Sequence, residues 1–449
     1  MTNDMEGRVA NLDRSHLYLD FDSFFASAEK HFNPDLRGKP VGVVPLDVRG
    51  TGCIAISREA KALGVPGNAS VIKARAAAPD MVFVVARPDA YVRLHHRILA
   101  AIETCLPVAS VRSIDELVCE LLPSEQNRAT ALARQIKATL RREFSDALTC
   151  SIGLAQTELL AKIAAEMNKP DGLVILDQDA LPERISHLPL GDIPGISNGI
   201  EARLTAANIR DSLALWNMSA KQCRALWGNI EGERFWNAFH GFPYERPATE
   251  KRMFGHSRML PLDWRTPNKV HDCARQLLLS AARRLRRHDL RASKLTLSAR
   301  GGGYRRERHR ESDDKRWRQE VALRAARDDR AFLGALAKAF STYRREVQFV
   351  PRSISVMLHG LCDSDQVQGE LFISKNCDTV EKYEKSERLS ATLDRLREKH
   401  GPKAVAMGVH SPMPGGYLGG KIAFGRIPEA EDFNEEASAD YETRFCQVA

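Results

Sequence analysis

From His16 the chain alternates, with Leu17 and Leu19 set against His16 and Tyr18, and the alternation stops at Asp20. A period of two predicts a strand, and Ser23-Phe-Phe-Ala-Ser-Ala-Glu29 predicts a turn into a helix. Asp20 then stands at the strand's carboxyl end, with Asp22 just beyond it. A second pattern, Val108 to Leu122, flanks Ser113-Ile-Asp-Glu116 with apolar residues as two strands flank a hairpin, so Asp115 and Glu116 fall near a bend. Leu159, Leu160, Ile163, Ala164 and Met167 recur at helical spacing over Glu158–Met167, and Lys169-Pro-Asp-Gly172 ends that helix, leaving Lys169 at its tip.

Further along, Ser293-Lys-Leu-Thr-Leu-Ser-Ala-Arg300 predicts a half-buried strand, with Leu295 and Leu297 toward a core and Lys294, Thr296 and Ser298 outward. The helix before it ends in cations, and the whole run from Arg283 to Arg310 is basic. Such a face suits phosphate backbones, although a solvated basic surface reads the same way. Ile193-Pro-Gly-Ile-Ser-Asn-Gly-Ile-Glu-Ala-Arg-Leu204 predicts a glycine turn between two helical patterns, where the amides around Gly195 and Ser197 could grip a phosphate. Residues 385–400 predict an amphipathic helix with Leu389, Leu393 and Leu396 on one side. A loop follows over 407–416, then an acidic, solvated stretch over 429–436.

Length changes the picture first: 449 residues exceed one hydrophobic core and predict roughly two to four domains. With 43% hydrophobic and 28% charged residues the chain is an ordinary globular one. It has no apolar run of membrane-spanning length and no secretory leader, so a cytoplasmic protein without membrane contact is expected. Nine scattered cysteines form no Cys-x-x-Cys pair, which argues against structural zinc. The net charge of +8 is compatible with a polyanionic partner.

The carboxylates carry the chemistry. If the hairpin lies beside the first strand, Asp20, Asp115 and Glu116 converge, and three carboxylates need cations to stay ionised together. Hard oxygen donors in that number point to Mg²⁺, and two such ions support in-line phosphoryl transfer, the chemistry of polymerases and nucleases. Capping or turn chemistry accounts for either acidic pair taken singly.

In order and spacing, LDFDSFFASAE, SIDE and LAKIAAEMNKPDG resemble the Y-family, lesion-bypass DNA polymerases, most of all the DNA polymerase IV branch, over about residues 14 to 360. The resemblance implies an α+β right-hand polymerase: palm over 1–23 and 87–176, fingers over 24–86, thumb over 177–246, a DNA-binding little finger over 253–361, and a tail over 362–449. It implies Asp20, Asp115 and Glu116 as catalytic ligands of two Mg²⁺, with the Phe21 carbonyl as a backbone ligand. Phe25 matches the family's steric gate against ribonucleotides, beside Phe24. Lys169 matches a triphosphate-binding lysine, and the segment containing Arg58 and Lys61 matches the fingers residues that hold the triphosphate, where tyrosine and arginine are usual. The Gly195 turn, with Ser197 in place of a second glycine, resembles a helix-hairpin-helix.

Together with Lys294, Thr296, Ser298 and Arg300, that turn is expected to hold primer-template DNA while deoxynucleoside triphosphates are added, without proofreading and at low fidelity. Gln368-Gly-Glu-Leu-Phe372 resembles a sliding-clamp peptide through Gln368, Leu371 and Phe372. A monomer is expected. The rival readings are a catalytically silent, clamp-docking accessory protein and a metal-dependent nuclease.

Overall fold

The computed structural model describes residues 14–47, 51–244, 251–301, 315–363 and 377–401, with positions 404, 405, 407, 408, 427 and 445. The chain divides into two compact units at Pro247 and Ala248. The first unit runs β1 (His16–Phe21), α1 (Phe24–Phe32), β2 (Val41–Val44), β3 (Ala55–Ile56), α2 (Arg58–Ala62), α3 (Val71–Ala77), β4 (Val82–Val85) and α4 (Pro88–Glu103). It continues with β5 (Ser110–Val111), β6 (Glu116–Glu120), α5 (Pro123–Gln126), α6 (Ala129–Glu143), β7 (Cys150–Ala155), α7 (Glu158–Met167) and β8 (Leu173–Leu176), then α8 (Asn198–Ala206), α9 (Ser212–Trp216), α10 (Ala220–Trp227) and α11 (Glu231–Phe239).

Its main sheet has the order β5-β6-β1-β7-β8. β1 is central and antiparallel to both neighbours, with Asp20 opposite Glu116 on one side and Ser151 on the other. Alternation alone gives β1 one buried face, but both are covered. Leu17, Leu19 and Phe21 join the core that includes residues of α4 and α6, while Tyr18, 1% exposed, joins the core under α7. That second layer lies very close: a Cβ on Gly153 of β7 would meet the Ala161 carbonyl of α7 at 1.9 Å, so only glycine fits. A second small sheet, β3-β2-β4, packs with α2 and α3 around its own core.

The second unit runs β9 (Met253–Met259), α12 (Pro267–Arg287), β10 (Leu290–Gly301), β11 (Arg316–Ala326), α13 (Asp329–Glu346), β12 (Pro351–Asp363) and α14 (Cys377–His400). Its antiparallel sheet has the order β11-β10-β12-β9, and α12 and α13 seal one face through Leu277, Leu278, Phe332 and Leu336 against Leu295, Leu297, Val356 and Leu358. No helix among the described residues is long and apolar enough to cross a membrane.

α14 starts earlier than its leucine pattern suggests, and it docks by its polar side. Ser386 donates to the Asp328 carboxylate, Ser390 accepts from the Asp329 amide, and Asp394 meets Arg286. Leu389 and Leu396, on the side the pattern marks as apolar, remain 49% and 37% exposed.

Candidate active site

Every carboxylate predicted at the site comes to one corner of the five-stranded sheet. β1 delivers Asp20, β6 begins at Glu116, and Asp115 at the bend accepts the Phe21 amide on its carbonyl at 2.8 Å. The turn after β1 is tight: Ser23 adopts φ 52°, ψ 46°, and α1 starts at the next residue.

Each acid is engaged by a neighbour. Lys169 pairs with Asp20 at 2.8 Å, Lys162 with Glu116 at 2.5 Å, and the Ser113 hydroxyl donates to Asp115 at 2.5 Å. Burial pushes the Asp20 carboxyl up to about 8; Lys169 opposes the shift while Glu166 and Asp115 add to it. Asp115 is raised for the same first reason, burial, against the Ser113 hydrogen bond. For Glu116 burial again favours the neutral acid, but Lys162, with hydrogen bonds from Tyr18 and Asp20, outweighs it and holds the group low. At Asp20 burial outweighs the paired lysine, and at Glu116 the lysine outweighs burial.

Among the described residues no group of three or more His, Cys, Asp or Glu side chains stands ready as a coordination shell. The donor set still fits a hard divalent cation: carboxylates at adjacent strand ends, one of which burial pushes up to about 8 even beside Lys169. Asp20, Asp115 and Glu116, with the Phe21 carbonyl, are the groups that could hold it once the lysines release them.

Both phenylalanines are buried, Phe24 at 2% and Phe25 at 5% exposure, and Phe24 packs on Phe21 and Phe25 at ring separations of 5.7 and 5.9 Å. Phe25 is stacked on Tyr91 at 4.8 Å. Tyr91 donates to Glu29 at 2.6 Å, and Glu29 is clasped by Arg87 through Nε at 3.0 Å and Nη2 at 2.5 Å, so a buried ion pair stiffens the wall behind Phe25. The spacing Phe25–Glu29 marks one helix face, but nothing in the sequence ties it to Arg87.

Arg58 opens α2, which Ser57 caps through the Ala60 amide; Lys61 lies on the exposed side of the same helix. Lys30 of α1 pairs with Glu59, binding α1 to α2 between those two cations. Gly195 has φ +94°, a left-handed conformation that favours glycine, and Ser197 caps α8 through the Ile200 amide. The segment before this turn is 3-10 helix at Leu190–Asp192, so the expected pairing of two full helices becomes one short turn and one helix.

In the second unit the outward face of β10 is only partly as expected. Lys294 and Arg300 are exposed and Ser298 is half-buried, but Thr296 is 2% exposed, covered by His359, whose Nε2 lies 2.9 Å from its hydroxyl. The cations ending α12 are also reassigned. Arg284 donates to the Gly255 carbonyl at 2.9 Å, and Arg286 is enclosed by Asp329 at 2.7 Å and Asp394 at 2.6 Å, so neither faces a phosphate. In their place, β11 sets exposed Arg316 opposite Arg300 and exposed Arg318 opposite Ser298. Their alternation with Trp317 and Gln319 in RWRQE was a signal available in the sequence. Gln368, Leu371 and Phe372 lie outside the described residues.

Known proteins show the same two-part order. The impB/mucB/samB family matches residues 19–166, and the family's C-terminal domain matches residues 251–371. Solved structures give the fold: a Y-family DNA polymerase chimera built on Dbh aligns with TM-score 0.65 at 21% identity, covering 78% of this chain and 99% of its own. Dbh DNA polymerase in an insertion ternary complex aligns at 0.51 with 21% identity and the same coverage.

Among curated relatives, DNA polymerase IV of Moorella thermoacetica is 32% identical over 286 residues, 62% of this chain and 71% of that protein. DNA polymerase IV of Pelotomaculum thermopropionicum is 28% identical over 421 residues, 90% of this chain and 96% of that protein. The chain belongs to the Y-family of translesion DNA polymerases, in the DNA polymerase IV branch, and thereby to the metal-dependent nucleotidyltransferases.

Proposed function

We propose that this polymerase extends primer 3′ ends on template DNA with deoxynucleoside triphosphates, in the cytoplasm and as a monomer, using two Mg²⁺ held by Asp20, Asp115, Glu116 and the Phe21 carbonyl. The observation that carries the reading is the meeting of three carboxylates, one with its pKa raised to about 8, at the ends of adjacent strands. Bound there, the ions would activate the 3′-hydroxyl and neutralise charge on the reacting phosphate.

The chain's own residues do the rest. Lys169, released from Asp20, turns to the triphosphate, and Arg58 and Lys61 add positive charge from α2. Phe25, backed by Tyr91, presents a fixed ring beneath the sugar and excludes a 2′-hydroxyl. The Gly195 turn with the Ser197-capped helix, and Lys294, Ser298, Arg300, Arg316 and Arg318 on the open sheet face, hold DNA by its phosphates. In this reading synthesis proceeds without proofreading and at low fidelity. Gln368, Leu371 and Phe372 dock to a sliding clamp, a reading that rests on the peptide's sequence.

Primer extension with Mg²⁺ and each deoxynucleotide tests the site. The unaltered chain extends, and Asp115→Ala/Glu116→Ala does not, while both bind primed DNA equally. Failure of both to extend, with DNA binding intact, would overturn the catalytic reading.

A further inference from the structure

The turn that carries Lys169 is held from beneath by two buried groups of opposite charge. Lys137, on α6 and 10% exposed, points its ammonium at the carbonyls of Cys150, Asp171 and Gly172 at 3.0, 2.7 and 2.9 Å, and at the Asp171 carboxylate at 2.8 Å. Asp22, 4% exposed, accepts the Asp171 amide on Oδ2 at 2.8 Å. The same carboxylate accepts the hydroxyls of Thr149 and Ser151, each at 2.8 Å. A cation thus takes the turn's carbonyls while an anion takes its amide, and each comes from a different element.

Short turns ordinarily satisfy themselves with local hydrogen bonds or water. Burying a full carboxylate and a full ammonium under one is costly unless both are completely paired, as they are here. Such an arrangement restricts where the turn can sit, and Lys169 lies two residues from the clasped Asp171. We propose that Lys137 and Asp22 are positioning residues for the incoming nucleotide, fixing the base from which Lys169 reaches the triphosphate. This rests on the reading of Lys169 as a triphosphate ligand. Neither residue touches the nucleotide; each acts through the turn.

Steady-state kinetics of single-nucleotide insertion on the full chain, with primed DNA saturating, tests the pair. Lys137→Met keeps most of the unbranched side chain and removes its charge. The KM for deoxynucleotide is expected to rise about tenfold with kcat within about twofold, since a small displacement of a binding group weakens what it holds. Lys137→Arg should recover part of the loss. In a Lys169→Met background, Lys137→Met should add nothing further, the mark of two residues acting as one unit.

A Lys169→Met change that leaves KM unaltered removes the triphosphate reading and this proposal with it. A large effect of Lys169→Met beside no effect of Lys137→Met overturns the proposal alone, and so does full additivity in the double variant. Should Lys137→Met fail to fold, Asp171→Asn loosens the same clasp from its half-exposed side, removing the carboxylate shared by Lys137 and Arg141. It tolerates the φ of 57° there, and a KM rise of about threefold is expected, with no change counting against the proposal.

Discussion

The sheet corner of the first unit and the basic face of the second use charge in opposite ways. At the corner the acids are crowded and mostly buried, and the nearby lysines do not cancel the burial that raises Asp20. In the second unit the charge is opposite in sign and mostly exposed: Arg286 is buried between Asp329 and Asp394, while Arg316 and Arg318 lie exposed on β11. Sequence shows the number of charges in each place. Only the fold shows which of them are buried against a partner and which stand at the surface.

That contrast can be pressed experimentally. The largest effect falls at the corner: Asp20→Asn is expected to lower kcat for insertion by about a thousandfold or more while primed-DNA affinity stays the same, read by single-turnover extension beside a binding isotherm. Next is Arg286→Ala, which leaves Asp329 buried without its partner. Urea unfolding should show a loss of about 3–5 kcal/mol.

A third test uses pH. His95, 3% exposed, hydrogen-bonds through Nδ1 to the Ile114 carbonyl at 2.8 Å beside the acidic bend, and burial lowers its pKa to about 4. The unfolded chain takes up that proton near pH 6.5 and the folded chain only near 4, so this contribution is intact above 6.5 and is lost as pH falls through the window. Between pH 7 and pH 5 the wild type should lose about 2 kcal/mol more stability than His95→Gln. The smallest effect belongs to the open face. Arg316→Ala/Arg318→Ala should weaken DNA binding about tenfold and reduce the salt slope by about two, with no change in melting temperature.

Where one element decided a feature, the sequence revealed it. The helix Glu158–Met167, the strand ending at the acids and the hairpin around Asp115 are all set by local periodicity: the helix has the bounds of its pattern, β1 runs one residue past Asp20, and the hairpin strands are shorter than their apolar flanks. What escaped was relational. Thr296 lies on the side of β10 that alternation predicts, yet His359 from a strand more than sixty residues away covers it. Arg286 sits in a basic run and is consumed by Asp329 and Asp394, more than forty and one hundred residues distant. Lys137, Tyr91 and Arg87 escaped for the same reason, since each matters through a partner on another element.

The polar docking of α14 moors that helix at discrete points, Ser386, Ser390 and Asp394, instead of along a continuous apolar seam. A seam fails gradually whereas a mooring fails contact by contact, so removing the Asp394 carboxylate alone would loosen one end of the helix while the leucines it turns outward stay as they are.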